Sequence, residues 1–141
     1  MKFSTIKSII LTGALLCGGA ANLHAQSADV IVNEEVKATT LDKNALKDIY
    51  LGKTAYWEGG QAVCIIVLTD KTDAALQETT GMSASQFKTH WQRLTFSGRG
   101  KQPKEADSPE KLLALVSSTK GALALIPPGT PLKGARKVEV K

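Results

Sequence analysis

The chain has 141 residues, with 18 basic and 13 acidic side chains and a formal net charge of +5. This length is typical of one domain and is too short for two lobes that enclose a cleft between them. Lysines and acids are interspersed along the chain, a charge pattern that argues against nucleic-acid binding.

The N-terminus has the pattern of a secretory signal peptide. Lys2 and Lys7 stand without any acid before an apolar run that extends from Ile9 to Ala21. This run is shorter than the roughly 20 apolar residues that a membrane-spanning helix needs. It leads to Ala25, a suitable small residue for cleavage. We therefore predict a signal peptide over residues 1–25, a mature domain over residues 26–141 and export to the periplasm.

Two other interpretations of this N-terminus stay open. The apolar run could remain as an uncleaved anchor, or Cys17 could carry a lipid, although a lipobox needs a small residue where Leu16 stands. Cleavage would leave 116 residues and would remove two lysines, which leaves 16 basic against 13 acidic side chains and a net charge of +3. Cys64 would then be the only cysteine, and its apolar surroundings favour a buried hydrophobe over a reactive thiol.

Four segments of the mature chain are predicted strands. The second is apolar throughout, as in a parallel sheet that is covered on both faces. The strand–helix–strand order around it predicts a right-handed crossover, with the first three strands adjacent and mostly parallel. The last segment alternates between apolar and charged residues and predicts an edge strand. The four strands are Val30–Val32, Val63–Leu68, Ala122–Ile126 and Lys137–Lys141.

Four helices are predicted from their start signals and apolar stripes. Asp42 is a suitable N-cap for the first helix, which Gly52 ends, and a short second helix spans about residues 73–80. Ser83 and Gln86 form a capping box for the third, whose stripe of Phe87, Trp91 and Leu94 predicts a core face. Ser108 and Pro109 begin the fourth helix, and Gly121 stops it.

The residues of catalysis and metal binding are scarce. One cysteine and His90 cannot build a common zinc site, and the sequence lacks a nucleophile elbow and a phosphate-binding P-loop. His90 has no partner that sequence can assign, so we interpret it as a surface or rim residue rather than a catalytic base. We predict no metal, no cofactor and no enzymatic activity.

A ligand site is expected where parallel strands end, because open α/β sheets bind ligands there. Three segments should meet at this edge: residues 33–35, residues 69–72 and residues 126–127. Free helix amides near Thr72 suit an anion, although Asp70 or Thr72 could simply cap them. The candidate ligand-binding residues are Asn33, Thr69, Lys71 and Thr72, with Arg99 from a basic loop.

Several motifs together resemble the small single-domain proteins described as phosphate ABC transporter substrate-binding-like. The segment Leu41–Lys53 with Trp57-Glu58-Gly59-Gly60 resembles the opening lobe of phosphate-type periplasmic solute-binding proteins. The similarity extends over about residues 30–126, and its other motifs are Gly81-Met82-Ser83, Trp91, Phe96–Pro103 and Gly121–Ile126.

The resemblance implies one three-layer α/β lobe of the type 2 periplasmic-binding-protein kind, with a mostly parallel sheet and helices on both faces. Full-size relatives hold phosphate with an arginine and a G-S-G-T turn, whereas this chain has the sequence TDKTD over residues 69–73. Nearby carboxylates, with Glu34 and Glu35 included, disfavour a fully ionised phosphate. We therefore expect an open half-site that binds phosphate or another small anion weakly, as an accessory to transport or sensing.

The same features allow a second class of function. The chain could be a protein–protein interaction module of the cell envelope that kept the fold without a ligand. Its contact surface would then be the Tyr56–Trp57 loop and the Arg99–Lys101 loop. In either case we expect a small anion or an envelope protein as partner, and neither nucleic acid nor stable insertion into a membrane after signal cleavage.

Overall fold

A computed structural model describes residues 28–69 and 73–141 of the chain. The predicted signal peptide over residues 1–25 lies outside the described residues, and so do residues 70–72. Within the two described ranges, no helix has both the length and the apolar character needed to cross a membrane.

The described chain forms one six-stranded sheet with four helices. The strands are β1 (Asp29–Asn33), β2 (Thr40–Leu41), β3 (Cys64–Leu68), β4 (Lys104–Ala106), β5 (Ala122–Ile126) and β6 (Ala135–Val140), in the spatial order β2-β6-β1-β5-β3-β4. The helices are α1 (Lys43–Tyr50), α2 (Asp73–Thr80), α3 (Ala84–Phe96) and α4 (Pro109–Ser118). This is the single α/β sheet that the sequence predicts.

The direction of β1 differs from the prediction. The three long predicted strands are neighbours, but β5 lies between β1 and β3, and β1 runs antiparallel to β5 and to β6. Only β3 is parallel to both of its neighbours, β5 and β4. The predicted crossover from β1 to β3 is therefore wrong, because burial on both faces makes a strand apolar in either direction and the apolar run alone does not show direction.

The C-terminal strand is also placed differently. β6 lies between β1 and β2 rather than at the edge, since the two-residue strand β2 pairs in parallel with Glu139 and Val140. Such a short strand gives almost no sequence pattern, so it was missed. The three-residue β4 at the opposite edge was missed for the same reason.

Helices cover both faces of the sheet, as predicted. On one face α1, α2 and α3 bury a core around Leu46, Ile49 and Phe87, and on the other α4 buries Leu112 and Val116. Successive side chains of the central strands point to opposite faces, so the sheet lies between the two clusters. The domain therefore has three layers.

The helix start signals are confirmed at atomic level. The carboxylate of Asp42 accepts a hydrogen bond from the Asn44 backbone N–H at 2.7 Å. At the start of α3 both hydrogen bonds of the Ser83–Gln86 capping box form, and Ser108 caps α4. These local contacts set the positions of α1, α3 and α4 relative to the strand ends.

Candidate functional site

The carboxyl end of β3 is the edge at which sequence reasoning placed a ligand. Thr69 follows this strand directly, and both its backbone N–H and its hydroxyl donate to the carbonyl oxygen of Ala106, at 2.9 and 3.3 Å. The register places Ala106 opposite Leu68 and the end of β5 beside the end of β3. Thr69 thus lies at the expected edge, and its hydroxyl already donates a hydrogen bond to the neighbouring strand.

Asn33 does not lie at this edge. Because β1 is antiparallel to β5, the carboxyl end of β1 coincides with the amino ends of β5 and β3. Five residues of strand, about 16 Å, therefore separate Asn33 from Thr69 along the sheet. The expectation that Asn33 and Thr69 meet is wrong, and the cause is the direction of β1.

The side chain of Asn33 has a structural role at its own end of the sheet. It is 4% exposed, and its amide nitrogen donates to the carbonyl oxygens of Val116 and Ser117 at 2.8 and 3.0 Å. Its side-chain oxygen accepts from the backbone N–H of Glu35 at 3.0 Å. These bonds tie the end of β1 to the last turn of α4 and leave little capacity for a ligand.

Glu34 and Glu35 follow Asn33 and therefore lie at the same end of the sheet as Asn33. Glu35 forms an ion pair with Lys120 at 3.5 Å, and Glu34 is exposed in the same turn. Neither carboxylate faces the carboxyl end of β3. The loop after β1 therefore does not contribute the expected repulsion of an anion at that edge.

Thr69 lines a cavity of about 350 Å³ between the end of β3 and α3. Leu76, Phe87 and Trp91 form part of its apolar floor. Its polar rim has one base and one acid, Lys88 and Glu105, together with Ser85 and Gln102. Apolar walls with a few polar groups are typical of small-molecule sites. Among the described residues of this rim, the single base is balanced by the single acid.

Arg99 lines a different cavity. This space of about 290 Å³ is bounded by Tyr56, Arg99 and Lys101, over a floor that includes Ile49 and Ile65. Trp91 lines both cavities, but Arg99 lines only this one and Thr69 only the other of the two. Of the five predicted ligand residues, the described part of the chain therefore places Thr69 alone at the end of β3. Lys71 and Thr72 lie outside the described residues.

An internal carboxylate occupies the N-terminus of α3, whose first residue lines the same cavity as Thr69. The backbone N–H of Ala84, the first residue of α3, donates to the carboxylate of Asp73 at 2.8 Å. The Gln86 N–H donates to the Ser83 hydroxyl at 3.2 Å. A helix N-terminus attracts anions through such amides, and two of those of α3 are already satisfied. Sequence reasoning counted Asp73 only as a repelling charge and missed this bond, because the two residues are 11 positions apart.

His90 is a structural residue in the described chain. Its Nε2 lies 2.8 Å from the carbonyl oxygen of Leu51, and the indole N–H of Trp91 donates to the carbonyl oxygen of Tyr50 at 3.0 Å. These two side chains satisfy carbonyl groups at the end of α1, which would otherwise lack partners. The prediction of a rim position is consistent with the half-buried ring.

Two solved structures have a similar fold. One is a Clostridium perfringens protein assigned as a phosphate ABC transporter substrate-binding protein, with bound phosphate; its TM-score is 0.63 at 19% identity, and the match covers 81% of this chain and 44% of that chain. The other is an ABC-type phosphate transport receptor from Vibrio cholerae, with a TM-score of 0.55 at 17% identity over 81% of this chain and 46% of that one.

The present chain therefore spans less than half the length of either protein. No family model matches the sequence, and no curated protein matches it. At these identities the likeness concerns the fold. The chain has a mixed α/β fold that resembles phosphate ABC transporter substrate-binding proteins, and the resemblance inferred from its sequence motifs is confirmed.

Proposed function

We propose that this chain is a non-enzymatic solute-binding domain, exported to the periplasm, that binds phosphate or another small anion weakly as an accessory to transport or sensing. The proposed site is the connection from β3 to α2, with Thr69, Lys71 and Thr72 as its ligand residues. The fold likeness supports this choice, since one of the two similar proteins holds phosphate. Asn33 and Arg99 are not part of the proposed site, because Asn33 lies at the opposite end of the sheet and Arg99 lines a different cavity.

The bond from Ala84 to Asp73 carries the proposal that binding is weak. It places a carboxylate on the α3 amide that an incoming anion would otherwise use. Asp70 and Asp73 then oppose Lys71 in the same connection, and a helix N-terminus supplies only about half a positive charge. The balance is unfavourable to a doubly charged anion, and an open sheet edge leaves the ligand in contact with water.

A thermal-shift panel tests the proposal. At about 10 mM, phosphate should raise the unfolding midpoint of the mature protein by a few degrees, since a ligand that binds only the native state stabilises it by mass action. Lys71→Gln should remove the shift, whereas Lys47→Gln on the exposed side of α1 should keep it. A panel of phosphate, sulfate and carboxylates that gives no shift would contradict anion binding.

Export is tested separately by intact mass. Protein recovered from the periplasm should begin at or next to residue 26, as the charged, apolar and small-residue order of the N-terminus predicts. A mass equal to that of the whole chain would show an uncleaved anchor. A lipid adduct on Cys17 would show a lipoprotein.

Exposure of Tyr56 favours a second candidate, the protein–protein interaction module. This ring is 65% exposed at the mouth of the cavity that Arg99 also lines. Trp57 beside it is half-buried, and its indole N–H donates to the carbonyl oxygen of Gly121 at 3.0 Å, which supports a structural role for this side chain. Co-purification from envelope extracts with the wild type and with Tyr56→Ser tests this candidate. Loss of one specific partner in the variant would support the module, and an unchanged set would contradict it.

A further inference from the structure

One continuous stretch of the chain has bases and no acids. Between residues 79 and 104 there is no Asp or Glu, although the chain as a whole mixes both signs. All five cations of this stretch are exposed, and none forms an ion pair within residues 28–69 and 73–141. We call this region the basic surface; its cations are Lys88, Arg93, Arg99, Lys101 and Lys104.

The fold keeps these cations on neighbouring elements. Lys88 and Arg93 are on α3, and the loop that follows turns back against the same helix. A Cβ on Gly100 would lie 2.9 Å from Cζ3 of Trp91 and 3.7 Å from Cβ of Leu94, so the loop backbone rests directly on α3. Arg99 and Lys101 are therefore held beside α3 by the packing of Gly100.

The acids around this region are few. Glu105 lines the same cavity as Lys88 and is the acid nearest to the stretch on its C-terminal side. Asp48 and Asp107, on adjoining elements, form ion pairs with Lys53 and Lys111. Within the described ranges, the cations of the basic surface thus form no ion pair with these acids, which favours an external anionic partner.

Phe96 protrudes from the basic surface. This last residue of α3 is 93% exposed, and Arg93 lies one turn earlier on the same helix face. Gly98, with a φ of 71°, turns the chain immediately afterwards, so the ring is at the outer end of the helix. A large apolar ring in contact with water, beside exposed cations, is typical of a segment that inserts into an interface.

We propose that the basic surface docks onto an anionic lipid bilayer, with Phe96 inserted among the headgroups and the five cations near lipid phosphates. A lipid surface fits better than an acidic protein for one structural reason. The ring projects almost fully from the molecule, and a fluid headgroup layer can envelop such a projection, whereas a protein would need a preformed pocket for it. Docking of this kind is peripheral and does not use the proposed site between β3 and α2.

Vesicle flotation tests the proposal on the processed protein, with its new N-terminus verified by mass. The vesicles contain phosphatidylcholine alone or equal amounts of phosphatidylcholine and phosphatidylglycerol. We expect binding only to the anionic vesicles, and weaker binding at about 0.5 M than at about 0.1 M salt, because salt screens exposed charges. Arg93→Gln with Lys101→Gln should lower the partition coefficient about 30-fold, since each cation contributes about fivefold.

Two further variants separate specific docking from general charge. Phe96→Ser should lower partitioning on the order of tenfold, and circular dichroism should show unchanged folding because the ring is outside the core. Lys47→Gln with Lys133→Gln removes the same charge elsewhere and should change partitioning less than twofold. The proposal is overturned if the protein does not bind anionic vesicles, or if the two double variants lower the partition coefficient equally. It is also overturned if Phe96→Ser binds as strongly as the wild type. Capture of an acidic protein through Arg93 and Phe96 without vesicle binding would overturn it in favour of a protein partner.

Discussion

The carboxylate of Asp73, in the first turn of α2, accepts a hydrogen bond of 2.8 Å from the backbone N–H of Ala84 at the start of α3. One side chain thus joins two helices that follow each other in the chain. It also places a negative charge directly after the β3–α2 connection, which we propose as the ligand site. Removal of the Asp73 carboxylate is therefore expected to lower the stability of the domain and to raise its affinity for an anion.

Replacement of this charge tests that link. Asp73→Asn keeps an acceptor for the Ala84 N–H but removes the negative charge, so phosphate affinity should rise about two- to fivefold. Asp73→Ala should cost about 1 kcal/mol of unfolding free energy through loss of the capping bond. Asp42→Asn, an equivalent cap on α1, should leave phosphate affinity unchanged. Titration and chemical denaturation measure the two effects, and an Asp73→Asn variant with weaker phosphate binding would contradict the link.

Trp91 is expected to be a main stabilising residue of the domain. It is 6% exposed, it packs near Phe87 with ring centroids 6.2 Å apart, and its N–H bonds to Tyr50. Trp91→Ala should therefore cost roughly 3–5 kcal/mol. Phe96→Ala on the same helix, with its ring in solvent, should change stability by less than about 0.5 kcal/mol. Urea denaturation of both variants checks this, and equal midpoints would show that Trp91 is not a core residue.

Tyr50 has a buried hydroxyl that bonds to nothing in the described part of the chain. Burial raises the pKa of this phenol, so the group stays neutral at all ordinary pH values. An unsatisfied buried hydroxyl carries a desolvation cost, and Tyr50→Phe should leave stability unchanged or raise it by about 1 kcal/mol. Thermal unfolding of the variant decides this. A loss greater than about 1 kcal/mol would show that the hydroxyl has a partner, such as an internal water.

Gly121 is expected to tolerate no side chain. Its φ is 74°, and a Cβ there would lie 2.0 Å from the carbonyl oxygen of Ala62. Its own carbonyl accepts bonds from Trp57 and from the backbone of Cys64, so the strain would spread into β3. Gly129→Ala is the matched control, since its φ is 78° with open space around it, and should cost only about 1–2 kcal/mol. Gly121→Ala should cost clearly more in the same denaturation assay, and equal losses would disprove the close approach.

Local features of the fold could be predicted from the sequence. The bounds of α2, the caps at Asp42, Ser83 and Ser108 and the core face of α3 depend on residues a few positions apart. Such signals act through backbone amides within one helical turn, and sequence records them directly. Three layers followed from the order of strands and helices.

Relations between distant segments could not be predicted in the same way. The direction of β1 depends on its pairing with β5, more than 90 positions away, and that direction alone moved Asn33 to the other end of the sheet. Arg99 and Thr69 line different cavities, a separation that no local sequence pattern records. The acid-free stretch that forms the basic surface can be recognised in the sequence. It was missed because the charge pattern was judged over the whole chain, in which both signs are mixed.

The central claim is that an anion binds weakly at the open end of β3, and calorimetric titration of the mature protein with phosphate tests it most directly. Asp73 on the α3 amide and the excess of carboxylates over Lys71 predict a dissociation constant no tighter than about 10 µM, or roughly −7 kcal/mol. Heat that saturates in the range from 10 µM to millimolar phosphate, and that disappears in Lys71→Gln, is the predicted result. A sub-micromolar constant would contradict the account, because it would mean that these acids point away from the ligand.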